Sequence, residues 1–241
     1  MSKKYVYFFG GGSAEGRKDQ KELLGGKGAG LAEMSGLGLP VPPGFTLTTE
    51  ACIEYHAAGR TLPPGLEGQF DQQLAKLEEL QGRKFGDPED PLLLSVRSGG
   101  PVSMPGMMDT VLNLGLNDEI VARQIEKGVD PRFIRDCYRR LLTMYGDVVL
   151  GVPHARFEEV LAQTREAEGV ATDYEISADG LASVITEFEK VIADHGKPFP
   201  LDPMDQLWGG AKAVFDSWNV KRARDYRRLH GLPEDSGTGV N

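Results

Sequence analysis

Cysteine is close to missing from this sequence: Cys52 and Cys137 stand far apart in 241 residues, with no CxxC spacing and no Cys/His cluster. That counts against a disulfide framework and a structural zinc site, and a reducing compartment is expected. Long apolar runs are missing too. Tyr5-Val6-Tyr7-Phe8-Phe9 is too short for the core of a signal peptide, and no stretch approaches the ~20 apolar residues of a membrane span. The expectation is a cytoplasmic protein with no membrane partner. Basic charge is in deficit, with 27 Lys and Arg against 36 Asp and Glu for a net −9. This argues against a nucleic-acid partner, which needs a basic face to displace counterions, but not against one triphosphate held by a few placed cations. The four histidines (His56, His154, His195, His230) are scattered, and none stands in a catalytic context.

Glycine is in excess, 31 of 241 residues where ~7% is usual. The clusters at 10–12, 25–30, 36–38, 99–106 and 209–210 lie between apolar runs and predict tight loops. A strand over 5–9 is followed by a glycine loop, and a helical pattern begins at Gly26 and stops near Gly38. Pro40, Pro42 and Pro43 favour an extended approach to a strand at 45–48. Thr49 is placed to cap a helix over 50–58, and Phe70, Leu74, Leu77 and Leu80 predict another over 66–81. An apolar strand at 92–97 opens into Ser98-Gly99-Gly100-Pro101. Helices are predicted over 118–127, 131–149, 154–168 and 178–194, with starts at Asp130-Pro131 and Ser177. A linker-like stretch at 196–203 precedes helices near 204–218 and 220–230 and a loose end from Gly231 to Asn241. The fold class is α+β: a mixed α/β piece (1–111 with 199–241) carrying an all-helical insert (112–198).

Two segments could carry chemistry. In Leu24-Gly25-Gly26-Lys27-Gly28, glycines lead into a helix whose N-terminal amides and dipole suit an anion, and Lys27 adds a point charge for a phosphate oxygen. It is not a Walker A loop, because Gly28 follows Lys27 where Ser or Thr is required, and Glu33 excludes a dinucleotide fingerprint. The alternative is an exposed lysine at a helix start. In Ser95 to Thr110, Arg97 ends a strand with a planar fork suited to phosphate oxygens, and the glycines and hydroxyls that follow could close over a polyphosphate. The alternative is a structural salt bridge from Arg97 to Asp109 or Glu33. Met104, Met107 and Met108 could adapt to a flat adenine ring or fill core. In the basic run 221–228, Arg224 and Arg228 share a helix face, usually a solvated one, and Asp225 pairs locally.

Together these segments resemble the pyruvate, phosphate dikinases. The resemblance rests on Leu24 to Gly28, Leu31 to Met34, Pro40 to Thr46, Ser95 to Gly99, Ser103 to Thr110 and Leu112 to Asp118, with shorter matches across the rest of the chain. It implies the first part of an ATP-grasp nucleotide-binding domain with its helical insert. In that family ATP phosphorylates a histidine on a separate swivelling domain, phosphate takes the γ-phosphoryl, and the phosphohistidine converts pyruvate to phosphoenolpyruvate. The resemblance implies that Lys27 and Arg97 engage the ATP phosphates and act as the catalytic cations, and the candidate nucleotide contacts are Gly25, Gly26, Lys27, Arg97, Ser98, Ser103, Met104 and Asp109. Mg²⁺ is expected with ATP, on ligands in a downstream ATP-grasp lobe, so the chain is expected to be inactive alone. Its expected partners are ATP and the phosphohistidine domain of the full-length chain, itself expected to be a homodimer. Phosphoenolpyruvate synthases share the Gly-Gly-Lys and Val-Arg-Ser elements but differ after the arginine, and are the second reading. A standalone nucleotide-binding or interaction module is the third. Gly100-Pro101 departs from the family's alanine-rich pair and is expected to stiffen the loop.

Overall fold

A short continuous apolar run sets the first strand, and the glycines after it turn the chain. In the computed structural model, described for residues 3–234 and 236–241, the order begins β1 (Val6–Gly10), β2 (Ser13–Ala14), α1 (Lys21–Gly36), β3 (Gly44–Leu47), α2 (Thr49–Ala57) and α3 (Leu66–Gln81). It continues β4 (Lys84–Phe85), β5 (Pro91–Leu92), β6 (Leu94–Gly99), β7 (Thr110–Leu114), α4 (Asp118–Glu126) and α5 (Pro131–Tyr145). After a π-helical turn at Gly146–Leu150 come α6 (His154–Glu168), α7 (Ala178–Asp194), α8 (Pro203–Ser217), α9 (Lys221–Leu229) and β8 (Gly239–Val240). Contacts divide the chain into two units, one of 1–82, 96–110 and 211–241, the other of 83–95 and 111–210.

The first unit is built on a sheet in the order β2-β1-β3-β8-β6. Its pairs are antiparallel, with Phe8 opposite Phe45 and Val240 opposite both Leu47 and Ser98. Phe8, Phe45, Leu47, Phe70, Leu74 and Leu77 are buried, and the Phe45 and Phe70 rings meet edge to face at 5.1 Å. The α3 periodicity is realised over Leu66–Gln81. Two expectations are corrected here. Thr48, not Thr49, caps α2, accepting from the Ala51 amide; the Thr49 hydroxyl instead donates to the Glu22 carbonyl at 2.5 Å. And the end of the chain is not loose: Gly237 to Val240 are buried, and β8 lies in the interior of the sheet. A two-residue strand between glycines has no periodicity of its own, and both its partners are distant in sequence.

The second unit is mainly helical. The amphipathic faces of α5, α6 and α7 bury Tyr138, Leu142, Phe157, Leu161, Leu181 and Phe188, with the Phe157 and Phe188 rings 4.9 Å apart. Asp130 and Ser177 cap α5 and α7 by accepting from Phe133 and Gly180. Residues 83–95 and 199–210 pack here, whereas the sequence reading puts them with the mixed piece. The buried Gln206 amide explains the second stretch, accepting from Gly115 N and donating to the Leu116 and Pro200 carbonyls at 2.9 and 3.0 Å. No described helix is long and apolar enough to cross a membrane.

Candidate functional site

Gly25 breaks α1. Its φ of 71° and ψ of 164° are non-helical, so the helix restarts just ahead of Lys27. Only glycine is tolerated there: φ is left-handed, and a Cβ would fall on the Gly99 carbonyl oxygen. The close approach lets the Gly26 amide donate to the Gly100 carbonyl at 2.9 Å. One amide that the sequence reading offers to an anion is thus already bonded to protein.

From the restarted helix, the Lys27 ammonium reaches β6 and donates to the Ser98 carbonyl at 2.7 Å. Crowding around the ammonium and then the Arg97 charge lower its pKa. Arg97 is itself exposed, and its backbone is fixed by two bonds of 2.9 Å to Asn241, N to O in both directions. Behind this strand the Thr238 hydroxyl accepts from the Gly99 amide at 3.2 Å.

These segments and the loop after β6 surround a cavity of about 480 Å³, within the usual range for small-molecule sites. Gly26, Lys27, Ser98, Ser103 and Met104 of the sequence-predicted set line it, with Gly99, Gly100, Met108 and Thr110. Gly25, Arg97 and Asp109 stand outside that lining. Arg97 is nevertheless close enough for its charge to act on Lys27. Of the two partners considered for Arg97, Glu33 pairs with Lys18 at 2.6 Å and Asp109 pairs with Arg222. Met104 is buried, consistent with a packed wall as much as with ring contact.

Sequence reasoning missed the groups behind the loop. The Arg222 fork donates to the Met107 carbonyl at 3.1 Å and to the Asp109 carboxylate. Trp218, buried, stands beside Gly100, where an added Cβ would lie 3.2 Å from its ring. Arg227 is buried over the Trp218 ring at 4.2 Å and donates to the Trp218 carbonyl at 2.6 Å. The basic run is therefore only partly a solvated face. Its spacing could not reveal contacts more than a hundred residues away. Among the described residues, no three His, Cys, Asp or Glu side chains stand together as a metal site.

The chain matches the family described as pyruvate phosphate dikinase, AMP/ATP-binding domain, over residues 21–80 and 59–241. It belongs to that family. The pyruvate, phosphate dikinase of Rhizobium meliloti (strain 1021) is 53% identical over 239 residues, covering 99% of this chain and 27% of the relative. Pyruvate, phosphate dikinase 2 of Zea mays is 51% identical over 241 residues, covering 100% of this chain and 27% of the relative. The dikinase of Clostridium symbiosum is 49% identical over 240 residues, 99% of this chain and 27% of the relative. The chain thus spans about a quarter of the length of these dikinases, in their nucleotide-binding part. The α+β architecture is that of the dikinase AMP/ATP-binding domain. Dikinase relatives from rice and Flaveria trinervia are chloroplastic, so family membership does not by itself imply a cytoplasmic location.

Proposed function

We propose that the cavity beside Lys27 binds the phosphate groups of ATP, and that this chain supplies nucleotide binding to a dikinase reaction joining ATP, phosphate and pyruvate to AMP, pyrophosphate and phosphoenolpyruvate. The observation that carries the reading is the Lys27 ammonium, presented by a restarted helix at the rim of a cavity walled by glycine backbone and the Ser103 segment. A cation with a depressed pKa and few side chains in the way suits an anionic ligand that must approach the backbone closely.

Lys27 contacts phosphate oxygens and offsets charge that grows on the moving phosphoryl group. Arg97, on the neighbouring strand, adds a second cation whose repulsion with Lys27 is relieved when a polyanion binds. Gly25 and Gly26 shape the approach, Ser98, Ser103 and Met104 line the cavity with Lys27, and Asp109 secures the loop. Mg²⁺, when bound with ATP, would screen the phosphates. The one carboxylate assigned to this site is engaged with Arg222, so ligands for that ion come from elsewhere in a full-length dikinase. The phosphoryl acceptor is a histidine on another domain, and the isolated chain does not turn over.

Titration of the chain with Mg·ATP, followed by calorimetry, tests the reading. Weak saturable binding is expected, with a dissociation constant on the order of 0.1 mM. Lys27→Met should abolish the isotherm. Equal binding by wild type and Lys27→Met would sink the assignment.

A further inference from the structure

The loop that walls the cavity is fastened at two places and spans free between them. At its start, Gly100 accepts from the Gly26 amide and rests beside Trp218, whose ring also packs against Arg227. At its end, the Arg222 fork grips the Met107 carbonyl and the Asp109 carboxylate together, and the Ser217 hydroxyl lies 3.9 Å from the Met108 sulfur. Between these points Val102, Ser103, Pro105 and Gly106 are exposed, and Met104 alone is buried. The Met107 amide donates back to the Met104 carbonyl at 3.1 Å, so the second fastening also holds the turn that seats Met104 against the cavity.

We propose that Arg222 is a positioning residue for nucleotide binding. It touches no ligand, but it sets the height of the Ser103–Met108 wall and offsets the Asp109 charge that would otherwise oppose incoming phosphates. The inference rests on the cavity being the nucleotide site.

Two alternatives are weaker. A solvated salt bridge alone contributes little, ~0–1 kcal/mol, and half of the Arg222 side chain is exposed. But this fork also binds a main-chain carbonyl in the same loop, which couples loop position to α9 rather than merely pairing charges. A purely structural role for the overall fold would require burial, and Arg222 has the exposure of a surface residue. A lysine cannot replace it, because one ammonium lacks the planar pair of donors that spans Met107 and Asp109.

The test uses Mg·ATP titration of the intact chain in a Trp208→Phe background, so that emission reports Trp218 beside the loop, with thermal unfolding measured in parallel. Wild type, Arg222→Lys, Arg222→Ala and Lys27→Met are compared. Arg222→Lys and Arg222→Ala are both expected to weaken ATP on the order of tenfold and to shift Trp218 emission before any nucleotide is added, with the melting midpoint within a few degrees of wild type. If ATP binds wild type but neither Arg222 variant differs from it, the positioning role is overturned. Recovery of wild-type affinity by Arg222→Lys would overturn the fork argument and reduce the contact to simple charge. Should Arg222→Ala unfold, Arg222→Lys alone decides. If wild type shows no ATP response and Lys27→Met is indistinguishable from it, the nucleotide reading has failed instead.

Discussion

The Lys27 ammonium donates to the Ser98 carbonyl at 2.7 Å, tying the restarted half of α1 to the strand that carries Arg97. The cation proposed for phosphate is thus hydrogen-bonded to backbone, which sets its direction. This is preorganisation in a small form: little side-chain entropy remains to be lost when a phosphate arrives.

Lys27→Met separates binding from stability. The folded state holds the Lys27 proton less tightly than the unfolded chain, because of desolvation and then Arg97. Its charged form therefore costs stability below the lowered pKa, and that cost disappears as pH rises from there to the unfolded value. Removing the charge should weaken ATP by at least about tenfold while leaving the neutral-pH melting midpoint unchanged or slightly raised. For the wild type, ATP affinity should fall as alkaline pH deprotonates Lys27. Calorimetry across pH and thermal unfolding check both.

Two glycines in α1 should respond oppositely. Gly25→Ala forces a side chain into a left-handed position already filled by the Gly99 carbonyl, and should cost more than ~3 kcal/mol. Gly30 lies in the same helix with nothing within 4 Å of an added Cβ. Gly30→Ala should gain about 0.5–1 kcal/mol through helix propensity. Denaturant unfolding distinguishes them, and equal effects would contradict the break at Gly25.

Thr238→Val preserves shape but removes the hydroxyl that accepts from the Gly99 amide and donates to the Gly239 carbonyl. Thr238 is fully buried, so the stranded amide should cost about 1–3 kcal/mol. Hydrogen exchange at the Gly99 amide should accelerate more than exchange across α3. Unchanged protection would show that the bond does not hold β6.

In the helical unit, burial and then the nearby Asp118 carboxylate raise Glu189 to a pKa of about 7, with the Tyr138 hydroxyl 3.3 Å away. Here the folded state binds its proton more tightly than the unfolded chain. The stabilisation is complete below the unfolded value near 4.5 and is lost as pH rises towards and through about 7. Glu189→Gln should flatten that dependence, gaining on the order of 1 kcal/mol at pH 8 relative to wild type once partial exposure is allowed for. Urea unfolding at pH 5 and pH 8 is the measurement.

The helices were legible because each announces itself locally. Phe70, Leu74 and Leu77 recur on one face, and Asp130-Pro131 and Ser177 mark starts through bonds that span only three residues. The glycine clusters at 25–30 and 99–106 were legible as tight loops, though not as segments that meet each other. What escaped depends on partners distant in sequence. Gly239-Val240 is too short for a pattern and becomes a strand only between Leu47 and Ser98. Asp109 was weighed as a partner for Arg97, while its actual ion pair with Arg222 joins residues whose spacing carries no period. Thr48 and Thr49 are both suitable types for a cap, so residue type alone does not identify Thr48, whose extended backbone makes it the cap.

The interior place of β8 has a consequence for biogenesis. The ribosome makes Gly239 and Val240 after every other strand of the first unit, so β3 and β6 wait without their shared neighbour while about 190 and about 140 residues, respectively, are made. During that wait two strand edges are open to pairing with another nascent chain, a hazard that grows with crowding on a polysome. Closure of the sheet, and with it the backbone clamp on Arg97, therefore follows the synthesis of β1, β2, β3 and β6.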